Sequence, residues 1–71
     1  MPRFSAHARQ RMAERGIEVA DVAAVLDDPS VTFTDRKGNP CYIREIDGRR
    51  IKVVVDAVDT DFVITTIDLD A

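Results

Sequence analysis

The chain has 71 residues, a net charge of −3 and a pI near 4.9, a size that makes one domain with a single core over residues 1–71. One cysteine, Cys41, and one histidine, His7, exclude a disulfide framework and a Cys/His zinc site, while the acidic balance argues against nonspecific nucleic-acid binding. There is no amino-terminal apolar run resembling a signal peptide, and the apolar stretches fall far short of the ~18 residues of a membrane span. The expectation is a cytoplasmic protein with no membrane association, cofactor or metal. A core this small contributes only roughly 3–5 kcal/mol, so the chain is expected as a monomer or a homodimer.

The average charge hides a segregation. Residues 1–16 carry Arg3, Arg9, Arg11 and Arg15 against Glu14, whereas residues 56–71 carry five aspartates and no cation. Residues 35–52 hold six cations against three anions. A basic patch built from the first helix and the middle strands is therefore compatible with an acidic protein.

The first predicted helix starts after Ser5, a good N-cap, and ends at Arg15, because Gly16 supplies the left-handed residue that closes a helix. Ile17 then stands where a Schellman ending packs back on Met12. Phe4, Ala8 and Met12 make the apolar stripe, and His7, Arg11 and Arg15, four apart, make a polar stripe beside it, at the rim of the core. The second helix is expected just after Ile17, with Glu18 as a weak cap, Asp21 in the first turn, Val19, Val22, Ala23, Val25 and Leu26 in helical periodicity, and Pro29 as terminator.

After Pro29 the chain turns to strand chemistry at Val31–Thr34, Cys41–Ile46, Arg50–Asp56 and Phe62–Leu69. Lys37-Gly38-Asn39-Pro40 closes one hairpin. Asp47-Gly48 has the residues of a type I′ turn and sets the next, with Ile46 opposite Arg49, Arg44 opposite Ile51 and Tyr42 opposite Val53. One sheet face then receives Tyr42, Arg44, Ile46, Ile51, Val53 and Val55 and is assigned to the helices. The other receives Ile43, Glu45, Arg50, Lys52 and Val54. Arg44 is a cation on the apolar face and must reach an edge or an anion. The expected fold is α+β: two N-terminal helices packed on one face of a four-stranded antiparallel meander, ααββββ, in strand order 1-2-3-4.

The segment Phe4-Ser5-x-His7-Ala8-x-x-Arg11-Met12-x-x-Arg15-Gly16-Ile17, followed by Asp21-Val22, Val25-Leu26 and Pro29, resembles the signature of a small bacterial domain family of unknown function. The resemblance runs through the Gly48 hairpin to Val63-Ile64-Thr65. More distantly, Gly16-Ile17, Asp21-Val22 and Leu26-Asp27-Asp28-Pro29 before a basic meander are similar to BrnT-type toxins of the RelE/ParE-like group, which contains ribonucleases of toxin–antitoxin systems. This chain is acidic where such toxins tend to be basic.

Cleavage of RNA by transesterification needs a base, an acid and cations on the phosphorane. His7 carries the side chain that titrates nearest neutral pH, and Arg11, Arg15 and Arg44 could hold a phosphate, with Glu14 or Tyr42 as the second proton-transfer group. In the plainer alternative His7 caps or hydrogen-bonds structurally while these arginines pair with Asp27, Asp28, Asp68 or Asp70, a charged face that is simply solvated. A third reading docks a protein or acidic ligand on the arginine stripe or on the sheet face bearing Ile43 and Val54. Asp56, Asp59 and Asp61 lack the ligand order of a calcium loop, and Cys41 reads as a small buried residue. The functional expectation is an accessory or regulatory binding module with a protein or RNA partner. The alternative is a ribonuclease-like toxin using His7, Arg11, Arg15 and Arg44.

Overall fold

The computed structural model describes residues 2–71. The elements in chain order are β1 (Arg3–Phe4), α1 (Ala6–Arg15), α2 (Val19–Asp27), β2 (Val31–Thr34), β3 (Pro40–Ile46), β4 (Arg49–Val55) and β5 (Phe62–Asp68). They make an α+β domain in which both helices pack on one face of a five-stranded mixed sheet, ordered β1-β5-β4-β3-β2.

The meander β2 to β5 follows the expected order, but the four-stranded antiparallel sheet is corrected to five strands by β1, which pairs with β5 in parallel. The backbone N–H of Arg3 donates to the Asp61 carbonyl at 2.7 Å and that of Ser5 to the Val63 carbonyl at 3.0 Å. Two residues are too few to show an alternating pattern, so this strand leaves no periodic signal in the sequence. The β3–β4 register agrees residue by residue with the turn-based expectation. Asp47 and Gly48 have φ values of 52° and 85°, the double positive φ that a type I′ turn demands.

Ser5 accepts the Ala8 N–H through Oγ at 2.9 Å and donates the same hydroxyl to the Ile64 carbonyl at 2.6 Å. One side chain thus caps α1 and ties it to β5. At the other end Gly16 is left-handed, and the Ile17 N–H reaches the Met12 carbonyl at 2.9 Å. In α2 the Asp21 carboxylate accepts the Glu18 N–H at 2.9 Å, compensating for a glutamate at the cap.

Ala8, Met12, Ile17, Val22 and Val25 close over Ile51, Val53, Val55 and Val63, with Phe4, Leu26, Tyr42 and Ile46 packed around them. Each fully buried valine contributes roughly 1.5–3 kcal/mol by leaving water. Arg44, the cation on this face, reaches the edge: its guanidinium donates to the Ala24 carbonyl at 3.3 Å and stands 3.8 Å from Asp28. It thereby places a positive charge at the negative end of the α2 dipole. A bulge between Val54 and Val55 leaves Ile64 as an extra residue on β5. The face away from the helices is uncovered by any described element, and Val31, Phe33 and Ile67 are exposed on it.

Candidate functional site

β1 accompanies β5 only at Phe62 and Val63. Beyond Ser5 the chain turns into α1, so from Thr65 to Asp68 the β5 strand has β4 on one side and no described strand on the other. α1 lies along this uncovered stretch. Its apolar stripe faces the core, which turns the neighbouring stripe of His7, Arg11 and Arg15 toward the free edge. The result is a groove of about 310 Å³ lined by those three residues and by Thr65, Thr66, Ile67 and Asp68.

The groove floor contains the one buried side-chain polar atom without a hydrogen-bond partner among the described residues, Thr66 Oγ1. Thr66 is fully buried. Native interiors rarely leave such a hydroxyl unpaired, and its burial closes it off from the open side of the groove. Arg11 is partly engaged, with Nη1 3.1 Å from Glu14 on the same helix, and both side chains are about half exposed. Asp68 is neutralised by Arg49 at 3.2 Å.

Arg49 is a residue that the sequence reading passed over. It donates to the Arg15 carbonyl, to the Gly16 carbonyl at 2.7 Å and to Asp68, so one guanidinium joins the end of α1 to the end of β5 and fixes the groove's width there. The signal was present: Arg49 shares the parity of Ile51 and Val53, which places it on the helix face.

Of the four candidate residues, His7, Arg11 and Arg15 meet at the groove and Arg44 does not, being held at the far end of α2. Tyr42 also packs with the core cluster away from the groove lining. Of the pairings in the plainer alternative, Arg44 with Asp28 forms at 3.8 Å, whereas Arg11 pairs with Glu14 and Arg15 with no aspartate among the described residues. Those of the aspartates that find cations take them from strands: Asp28 from Arg44, Asp68 from Arg49 and Asp70 from Arg50, the last at 2.9 Å. The Arg50 hydrogen bond holds the exposed Asp70 carboxyl below its usual range. In the Asp-rich loop, Asp56 accepts the N–H groups of Val58 and Asp59 at 3.0 and 2.8 Å, so these carboxylates serve the turn itself. Burial pushes the Cys41 thiol up, away from the reactive thiolate.

A second depression of about 370 Å³ lies on the open sheet face, where Arg36, Lys37 and Lys52 stand around Val54 and Ile64. Thr65 and Ile67 border both grooves. The Lys52 ammonium sits 5.2 Å from the Phe33 ring centroid, a cation–π contact that covers part of an exposed aromatic. No described helix is long and apolar enough to cross a membrane.

Neither a search of curated proteins nor a search of solved structures gave a match. The stretch from β1 to the end of β5, with both helices and every groove residue, does match a family, and over residues 4–68 the chain belongs to the family described as Domain of unknown function (DUF4258).

Proposed function

We propose that this is a bacterial, cytoplasmic binding module, accessory or regulatory to its partner, and that the groove between α1 and β5 takes an anionic group, a phosphate or carboxylate. The observation that carries the reading is the convergence of His7, Arg11 and Arg15 on one groove along the free edge of β5. Forked guanidinium donors suit a tetrahedral or planar oxyanion. The wall is preorganised, since α1 is capped at both ends and its C-terminus is clamped by Arg49.

The ribonuclease-like toxin is the second reading, resting on the same stripe and on the similarity to BrnT-type toxins. Transesterification needs two proton-transfer groups. In the groove His7 stands with Asp68, already bound by Arg49, while Glu14 is bound by Arg11 and Arg44 is elsewhere. This favours binding over cleavage.

Heteronuclear spectra of the wild type and of Arg11→Ala, titrated with inorganic phosphate and with a short RNA, test the proposal. Saturable shifts at His7, Arg15 and Thr66 in the wild type, lost in Arg11→Ala with the remaining spectrum unchanged, are expected. An unresponsive His7 would sink the anion site. Cleavage of the RNA, or arrested growth of a bacterial host on induced expression, would move the assignment to the toxin reading.

A further inference from the structure

The sheet has a second free edge, β2, and its chemistry is unusual for an edge. Natural edge strands are guarded against pairing by charges, prolines or bulges. Val31-Thr32-Phe33-Thr34 carries neither charge nor proline, and all four residues are exposed. Against β3, the Asp35 N–H donates to the Asn39 carbonyl at 3.0 Å. By the alternation of an antiparallel ladder Phe33 and Val31 also bond inward, which turns the backbone N–H and C=O of Thr32 and Thr34 outward to the open edge.

The two ends of this edge have opposite charge. Where the chain enters β2 stand Asp27 and Asp28 at the C-terminus of α2, a helix with no basic residue in its last turn. The Asp28 side chain is 81% exposed, with Arg44, at 3.8 Å, as its only ion-pair partner among the described residues. Where the chain leaves β2 stand Arg36 and Lys37, which form no ion pair among the described residues. The acidic residue at this end, Asp35, is turned into its own loop, accepting the N–H groups of Lys37 and Asn39 at 2.9 Å each.

An uncharged edge with an acidic and a basic end is complementary to itself when rotated by a two-fold axis. We propose that β2 is a homodimer interface, two copies of the chain pairing antiparallel about Thr32. The axis must stand perpendicular to the sheet, because only then do the helix-covered and open faces both continue across the junction. Face continuity allows centring on Thr32 or on Phe33, and charge decides between them. Centred on Thr32, the register sets Thr32 against Thr32 of the second copy and Val31 against its Phe33, and carries the turn bearing Arg36 and Lys37 toward the second copy's α2 terminus with Asp27 and Asp28. Centred on Phe33, the basic turn meets Ser30 and Pro29 instead. In the Thr32 register the two threonines exchange both backbone hydrogen bonds, and each α2 terminus, with no basic residue in its own last turn, gains a cation beside Arg44.

Sedimentation equilibrium over a concentration series, with amide exchange at Thr32 read by NMR, tests the interface. The wild type is expected to dimerise, with the Thr32 amide gaining protection as concentration rises. Thr32→Glu sets two carboxylates directly opposite each other and should give a folded monomer with the wild-type monomer spectrum. Arg36→Asp should weaken the dimer roughly fivefold to tenfold, because the pair occurs twice across the axis. Arg36→Asp combined with Asp28→Arg should restore it. A monomer at all concentrations, a dimer indifferent to Thr32→Glu, or a double variant no tighter than Arg36→Asp would overturn the proposal. None of these outcomes depends on the phosphate response of the α1 groove.

Discussion

Helix α1 has Ser5 at the start, left-handed Gly16 at the finish and Arg15 in the last turn, with Arg49 of β4 on its final carbonyls, whereas α2 starts on the Glu18–Asp21 box, has no basic residue in its last turn and takes its C-terminal cation from Arg44 alone. The burial patterns differ accordingly. α1 inserts Ala8 and Met12 and leaves most of its surface polar, while α2 depends on Val22 and Val25, both fully buried. A helix stabilised by its caps can leave one flank to other uses. α1 carries the groove stripe, and α2 serves chiefly as a lid on the core.

The largest effect that probes this contrast is on α2. Val22→Ala should lower the unfolding free energy by about 2–3 kcal/mol, measured by urea denaturation, because the lost methyl groups leave a cavity at a site with no exposure. A loss below that of a surface substitution would show that α2 is not held by burial. Next comes Ser5→Ala, expected to cost about 1–2 kcal/mol because it removes the cap on Ala8 and strands the Ile64 carbonyl. Because that hydroxyl also ties α1 to β5, amide exchange should rise at both Ala8 and Thr66, and a rise at α1 alone would restrict its role to capping. The smallest is Arg44→Met, which keeps the packing stem and removes the charge. Arg44 is more than a third exposed, so the cost should be only about 0.5 kcal/mol, and it should shrink in high salt.

The elements readable in the sequence are those whose signals are local. Ser5 and Gly16 bound α1, Asp47-Gly48 sets the β3–β4 register, and the parity of that register exposes Arg44 as a cation needing an outlet. β1 escaped because two residues carry no period, and the parallel partner that defines it is remote in sequence. At the site, the spacing of His7, Arg11 and Arg15 was legible, but the opposite wall was not. The free edge of β5 exists only because β1 stops at Phe4, and Thr66 looks in sequence like any β-branched strand residue. Arg44 failed to join the stripe because α1 lies along β5, and β4 stands between β5 and β3.

The bond from Ser5 to the Ile64 carbonyl spans 59 positions, and β1 and α1 both take β5 as their principal partner. During synthesis α1, made before β2 to β5, is therefore among the last of these elements to find its place, waiting until β5 has left the ribosome. Until then the β2–β4 hairpins can form without it, and the apolar side of α1 lacks its principal partner. Contacts of such long range slow the search for the native state. The capped ends of α1 let it hold its shape through that interval, and an early stop before Phe62 should release a chain whose amino-terminal third has nowhere to dock.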